Sequence, residues 1–171
     1  MSKDLFENIC EEKLFSNLFK KYSQDLHNFI YYKYGEHINP KDKVQEAFIK
    51  LWDNCSKVSI KKTKSFLFTV ANNLALNQIK HEKIKLKYQQ TEISDRTNES
   101  PEFILEEKEY LKKYNNALAK LTESQRVAFL LNRIEGKKHK EIAEMLGISS
   151  KAVEKRIYGA LEKLRTEIDG I

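Results

Sequence analysis

The chain has 171 residues, 40% of them apolar, with 31 Lys and Arg against 25 Asp and Glu for a formal net charge of +6. That length suits one domain or two small ones, and no apolar run approaches the roughly 18 residues a membrane-spanning helix needs. Only two Pro and five Gly stand among abundant Leu, Lys, Glu, Ile and Ala, which predicts an all-α protein.

The N-terminal "MSKDLFENICEEK" is acidic and lacks an apolar h-region, so no secretory signal is expected and the cytoplasm is the expected location. Cys10 and Cys55 form no C-x-x-C, and His27, His37, His81 and His139 show no ligand spacing. Two reduced, partly buried thiols are therefore expected, with no metal and no cofactor. Charge is unevenly spread: residues 1–88 carry 16 basic against 10 acidic side chains, 89–113 carry 4 against 7, and 114–171 carry 11 against 8. Two basic segments flanking an acidic one suit two polyanion-binding modules and a spacer, and equally suit ordinary solvated helix faces.

In chain order, Leu5, Ile9, Leu14, Leu18 and Phe19 form one helical stripe and Leu26, Phe29 and Ile30 a second, stopped by Gly35. "NPKDKVQEAFIKLWDN" then opens with Asn39 as N-cap and Pro40 at the first helical position, where a missing N–H costs nothing. Residues 55–65, "CSKVSIKKTKS", have no clear period and read as a basic, hydroxyl-rich loop. "FLFTVANNLALNQIKHEKIKLKY" is one long helix, apolar first and lysine-rich later, and "QQTEISDRTNES" is a polar linker. Structure is expected to resume at Ser100 and Pro101. Thr122 and Gln125 stand at capping-box spacing ahead of "ESQRVAFLLNRI", which ends near Gly136.

"HKEIAEMLGISSKAVEKRIYGALEKLR" has the spacing of a helix-turn-helix. Ala143 permits close helix packing, Gly147 can end the first helix in the left-handed conformation, and Val153 plugs the angle, with Ile142, Leu146 and Ile148 beside it. On the second helix Val153, Ile157, Ala160 and Leu164 share one face, while Lys151, Lys155, Tyr158 and Glu162 point away. Ser149 or Ser150 caps its start, where a major-groove helix meets base edges, and Lys151, Glu154 and Lys155, flanked by Arg156, are the candidate readers. A plain helical hairpin with a solvated charged face is the alternative.

The helix at 40–54 carries two apolar faces. Val44, Ala47, Phe48 and Leu51 serve its own core, whereas Ile49 and Trp52 lie on another arc beside Gln45, ringed by Asp42, Glu46 and Asp53. An acid-rimmed second face suits docking of a basic partner; packing of Trp52 under a neighbouring helix is the alternative. Lys57, Lys61, Lys62 and Lys64 among Ser56, Ser59 and Thr63, followed by Phe66, Phe68, Asn72, Asn73 and the lysine run from Lys80, suit unstacked bases and then duplex phosphates. Most of the phenylalanines are expected in the core, while Asn72 and Asn73 would need satisfied amides there.

"DKVQEAFIKLWDN", "FLFTVANNLALNQIKHEK" and "LTESQRVAFLLNRIEGKKHKEIAEMLGISSKAVEKRIYGALEKLR", in that order, resemble bacterial sigma factors of the extracytoplasmic function group. The resemblance implies two helical domains, region 2 (residues 1–88) and region 4 (114–171), joined by a flexible linker at 89–113. It implies that Asp42, Gln45, Glu46, Ile49 and Trp52 dock on the clamp helices of the polymerase β′ subunit, and that region 4 meets the β flap. It further implies that residues 56–65 hold a flipped base of the minus-ten element and that Asn73, Lys80 and their neighbours serve melting and upstream grip. Residues 149–158, with Tyr158 at their end, would read the minus-thirty-five element. Many relatives carry Arg-Asn where this chain has Asn72-Asn73, and an acid where it has Asn77. "VEKRIYGAL" resembles a subset paired with membrane anti-sigma factors, so the expected partners are core polymerase, promoter DNA and an anti-sigma factor. The expected function is transcription initiation without catalysis. The alternative is a stand-alone helix-turn-helix regulator.

Overall fold

The computed structural model describes residues 8–89 and 106–170; the Leu5 position of the first stripe and the Ser100–Pro101 cap lie outside them. The described residues fold into seven α-helices: α1 (Glu12–Tyr34), α2 (Pro40–Asp53), α3 (Ile60–Gln89), α4 (Glu106–Lys120), α5 (Glu123–Arg133), α6 (His139–Leu146) and α7 (Ser150–Glu167). A single 3₁₀ turn at Glu36–Ile38 separates α1 from α2.

In the N-terminal half, α1, α2 and α3 pack pairwise. The apolar positions that recur every three or four residues meet in the middle: Leu26, Phe29 and Ile30 from α1, Ala47, Phe48 and Leu51 from α2, Leu67, Phe68 and Ala71 from α3. Burial of each large side chain contributes about 1.5–3 kcal/mol, which sets the register of the three helices. Gly35 ends α1 with φ of 87°, its N–H donating to the Tyr31 carbonyl. Pro40 occupies the first turn of α2 as expected.

The first stripe differs from its pattern. Helix α1 begins at Glu12, so Ile9 belongs to a turn ahead of the helix, yet it is buried in the core. Phe19 is 41% exposed and leans its ring on Phe48 at 4.8 Å. Asn39 precedes α2 but makes no side-chain cap: its backbone is left-handed, φ 53°, and its amide donates to the Asp42 carboxylate at 2.9 Å. The preceding 3₁₀ turn imposes this, because its C-cap position is the same Asn39.

Two further expectations are corrected. The loop is shorter than residues 55–65, since α3 starts at Ile60 and takes in Lys61, Lys62, Lys64 and Ser65. Thr63 is fully buried and its hydroxyl donates to the Ser59 carbonyl, so the hydroxyl serves the first turn of a helix. Cys10 and Cys55 form a disulfide across 45 residues of sequence, where two free thiols were expected. Burial of Ile9 draws the N-terminal turn against the end of α2, a proximity that sequence spacing could not reveal.

In the C-terminal half, Thr122 and Gln125 form the capping box of α5, each side chain accepting from the other's backbone N–H at 3.3 Å. Gly147 ends α6 with φ of 66°, and the Ser149 hydroxyl accepts from Ala152 N–H to open α7. Ile142 and Val153 are fully buried between these two helices, as their spacing predicts. Ala117 and Leu118 of α4, with Leu121 just after it, close a smaller core against Phe129, Leu130, Ala160 and Leu164.

The halves are packed together. Val127, Leu131, Ile142, Met145 and Ile157 join the same apolar cluster as Phe29, Phe68 and Leu26. Helix α5 lies on α1, and α6 on α3. Arg126 donates to the Tyr32 and Lys33 carbonyls at 3.1 and 3.2 Å, capping the C-terminal end of α1, where unpaired carbonyls and the helix dipole favour a cation. The Tyr32 hydroxyl donates to Glu135, and burial followed by that hydrogen bond pushes the phenol well above its usual range. Lys137 bridges to Asp25 at 2.8 Å.

Candidate docking and nucleic-acid surfaces

Helix α2 buries Val44, Ala47, Phe48 and Leu51 and turns a second, neighbouring arc outward. Ile49 is 60% and Trp52 44% exposed, so the second apolar face is open. Asp42, Gln45 and Asp53 around it are exposed and Glu46 is half-buried, its carboxylate 2.9 Å from the Lys43 ammonium. Trp52 is not loose: the Phe15 ring meets its edge with centroids 5.0 Å apart, and Phe15 in turn contacts Phe48. The indole is thus propped from below while one side faces solvent, as a pre-ordered anchor requires.

Between α2 and α3, the turn at 54–59 exposes Ser56, Lys57 and Ser59. Asn54 closes α2 by donating to the Lys50 carbonyl at 2.8 Å, and Cys55 ties the turn to Cys10. Lys61 and Lys62, in the first turn of α3, are exposed, as are Asn73 and Lys80 further along. Phe68 is buried against Phe29 and Phe66 is half-buried against the core, so these rings have packing work.

Lys64 and Asn72 behave differently, because both face the C-terminal half. Lys64 pairs with Glu144 of α6 at 3.3 Å. Asn72 Oδ1 accepts from the Lys33 ammonium at 2.7 Å and from the Tyr34 hydroxyl at 2.6 Å. Those two α1 residues, 39 and 38 positions away, were not legible as partners in the sequence. Lys33 lines, with Asn72, Glu123, Glu144 and Arg156, a cleft of about 360 Å³ between the halves. Burial, then the Glu123 charge, pushes the Tyr34 phenol up to about 12.

On α7 the division of faces follows the sequence. Val153, Ile157, Ala160 and Leu164 are buried, and Ser149, Ser150, Lys151, Glu154, Lys155, Tyr158 and Glu162 are exposed. Arg156 is half-buried and points toward the cleft with α3. Ahead of α6, the Lys138 backbone N–H donates to Glu141 at 2.7 Å, and this bond holds the Glu141 carboxyl below its usual range. No group of three metal-ligating side chains occurs among the described residues, and no described helix is long and apolar enough to cross a membrane.

The comparisons agree with this geometry. Residues 18–84 match the family described as Sigma-70 region 2, and residues 111–164 that described as Sigma-70, region 4. The chain is 24% identical over 156 residues to RNA polymerase sigma factor YlaC of Bacillus subtilis, covering 87% of this chain and 88% of that one. It is 25% identical over 150 residues to the ferric citrate uptake sigma factor FecI of Escherichia coli, covering 86% and 87%. Among solved structures, the fold is shared with the sigma factor RpoE of Bartonella quintana, crystallised with the anti-sigma factor NepR (TM-score 0.59, 18% identity, covering 90% of this chain and 96% of that one). It is also shared with CnrH, solved in complex with the cytosolic domain of CnrY (TM-score 0.54, 21% identity, 91% and 88%). With regions 2 and 4 matched in order, each on the half where the fold places it, the chain belongs to the sigma-70 family, in the extracytoplasmic function group.

Proposed function

We propose that this sigma factor docks on the clamp helices of polymerase β′ through Asp42, Gln45, Glu46, Ile49 and Trp52. Its function is alternative-sigma transcription initiation. The observation that supports the docking site is the open, acid-rimmed face of α2, with Trp52 propped on Phe15 and Ile49 beside it. An apolar pair of this kind gains from burial only when a partner covers it, and the surrounding carboxylates select a basic one.

Residues 1–88 form the core-binding and minus-ten module, with Lys57, Lys61, Lys62, Lys64, Asn72, Asn73 and Lys80 toward the DNA. Residues 114–171 form the minus-thirty-five module, which also meets the β flap, and 89–113 link the two. Ser149, Ser150, Lys151, Glu154, Lys155, Arg156 and Tyr158 meet the duplex, with Glu154 placed to accept from a cytosine amino group. Strand opening is driven by binding and base capture: extracting a base costs a few kcal/mol of stacking, which the turn at 54–59 and the helix behind it offset. The protein works in the cytoplasm, without catalysis or cofactor. An anti-sigma factor, such as the one RpoE is crystallised with, holds the packed arrangement of the two halves.

Pull-down with purified core polymerase tests the docking site. Wild-type protein is retained, Trp52→Ala loses retention by about thirtyfold or more, as a hot-spot truncation does, and Asp42→Ala weakens it less. Wild-type protein that ignores core enzyme yet binds duplex operators as a dimer would support the stand-alone regulator instead.

A further inference from the structure

The cleft between the halves brings together groups that no single element displays. At the last turn of α1, the Lys33 ammonium sits 2.7 Å from Asn72 Oδ1 and 3.5 Å from a Glu123 carboxylate oxygen. Asn72 Oδ1 also accepts from Tyr34, so both lone pairs of that oxygen are engaged. What Asn72 has left to offer a ligand is its pair of N–H donors, held beside an ammonium. Donors and a positive charge on one spot select an oxygen anion.

One oxygen anion already lies there, the Glu123 carboxylate from the first turn of α5. Eight residues before Asn72 on α3, about 12 Å along the axis, the arrangement repeats: Lys64 meets the Glu144 carboxylate at 3.3 Å. Both cations belong to the N-terminal half and both anions to the C-terminal half. Both carboxylates remain about half exposed, 50% and 57%, so neither is locked in by burial. A carboxylate and a phosphodiester are both oxygen anions, so the cations that hold the one can hold the other.

We propose that Lys33, with the Asn72 amide it orients, is a phosphodiester-binding site of the N-terminal half, and that Glu123 and Glu144 occupy the phosphate positions while the halves are packed together. DNA backbone and the C-terminal half then compete for the same cations. Lys33 also supplies, from α1, a positive charge next to the neutral Asn72. The site rests on the DNA-binding reading above and adds to it a residue on α1 and a competitor within the chain.

Binding of a fluorescein-labelled, mixed-sequence single-stranded DNA to the full chain, followed across a potassium chloride series, tests this. Loss of one phosphate contact in Lys33→Gln lowers the slope of log K against log salt by about 0.7 and weakens binding, and Lys33→Arg restores both. Glu123→Gln tightens binding by about two- to fivefold, the scale of an exposed ion pair, and that gain vanishes in the Lys33→Gln background. Thermal melts of each variant separate these effects from unfolding. An unchanged slope in Lys33→Gln, a Glu123→Gln gain that survives without Lys33, or no DNA binding by wild type and Glu123→Gln alike overturns the site. Retention on core polymerase in a parallel pull-down shows whether the sigma reading stands even so.

Discussion

Helices α3 and α7 both present polar faces suited to nucleic acid, yet the fold treats them in opposite ways. On α7 the row from Ser149 to Tyr158 is open to solvent, with only Arg156 drawn toward a neighbour. On α3, Lys64 and Asn72 are held by groups from α6 and α1, while Lys61, Lys62, Asn73 and Lys80 stay exposed. Amphipathic spacing decides which residues turn away from a helix's own core. It does not decide whether water or another helix awaits them.

The largest perturbation of this contrast should come from the Cys10–Cys55 bridge, which restrains only the N-terminal half. Replacing both cysteines by serine is expected to lower stability by about 2–4 kcal/mol, given the 45-residue separation it closes, as read by denaturant melts. The nucleic acid contacts proposed for α7 should be unaffected, and loss of duplex binding in this variant would show that the restraint reaches α7 through the shared apolar cluster.

Arg126→Ala removes the guanidinium that caps α1 from α5, at a cost of about 2 kcal/mol for hydrogen bonds from a charged donor. Small-angle scattering should then report a more extended chain with unchanged helical circular dichroism. A profile as compact as wild type would place the cohesion of the halves in the shared apolar cluster alone.

On the open side of the contrast, Glu154→Ala should relax discrimination at one base pair by about 1 kcal/mol, while Lys155→Ala weakens all sequences alike. Binding to a library of minus-thirty-five variants distinguishes the two. Equal loss on every sequence from Glu154→Ala would remove it from base reading.

The smallest effect is alkaline. Tyr34 ionises near 10 in the unfolded chain and at about 12 in the folded one, so folding holds its proton longer. That contribution is fully present below pH 10 and is lost as pH rises through 12, because the unfolded state gives up the proton first. The extra loss of stability between pH 10 and 12 should be shallower in Tyr34→Phe. Curves of equal steepness would mean the shift resides elsewhere, for instance at Tyr32.

Much of the architecture was legible because it is local. Thr122 and Gln125 cap α5, Gly147 takes the left-handed turn, and Val153 lies buried between α6 and α7, each a consequence of positions within ten residues of one another. The open face at Ile49 and Trp52 was equally visible, since 100° per residue places it on an arc beside Phe48, away from Ala47 and Leu51, whatever surrounds the helix. The start of α3 was misjudged because lysines and hydroxyls look like loop, while Thr63 in fact bonds back to Ser59 and turns inward.

Sequence by itself thus determined the all-α character, the helix-turn-helix and the two-faced α2, all products of periodicity and capping that act over one or two turns. Tertiary structure alone decided that Cys10 meets Cys55, that Arg126 caps α1, and that Lys33 and Tyr34 hold Asn72. Each of those pairings joins residues 38 to 94 positions apart. Such contacts arise only when apolar burial has fixed how helices lie on one another, and no spacing rule along the chain encodes that.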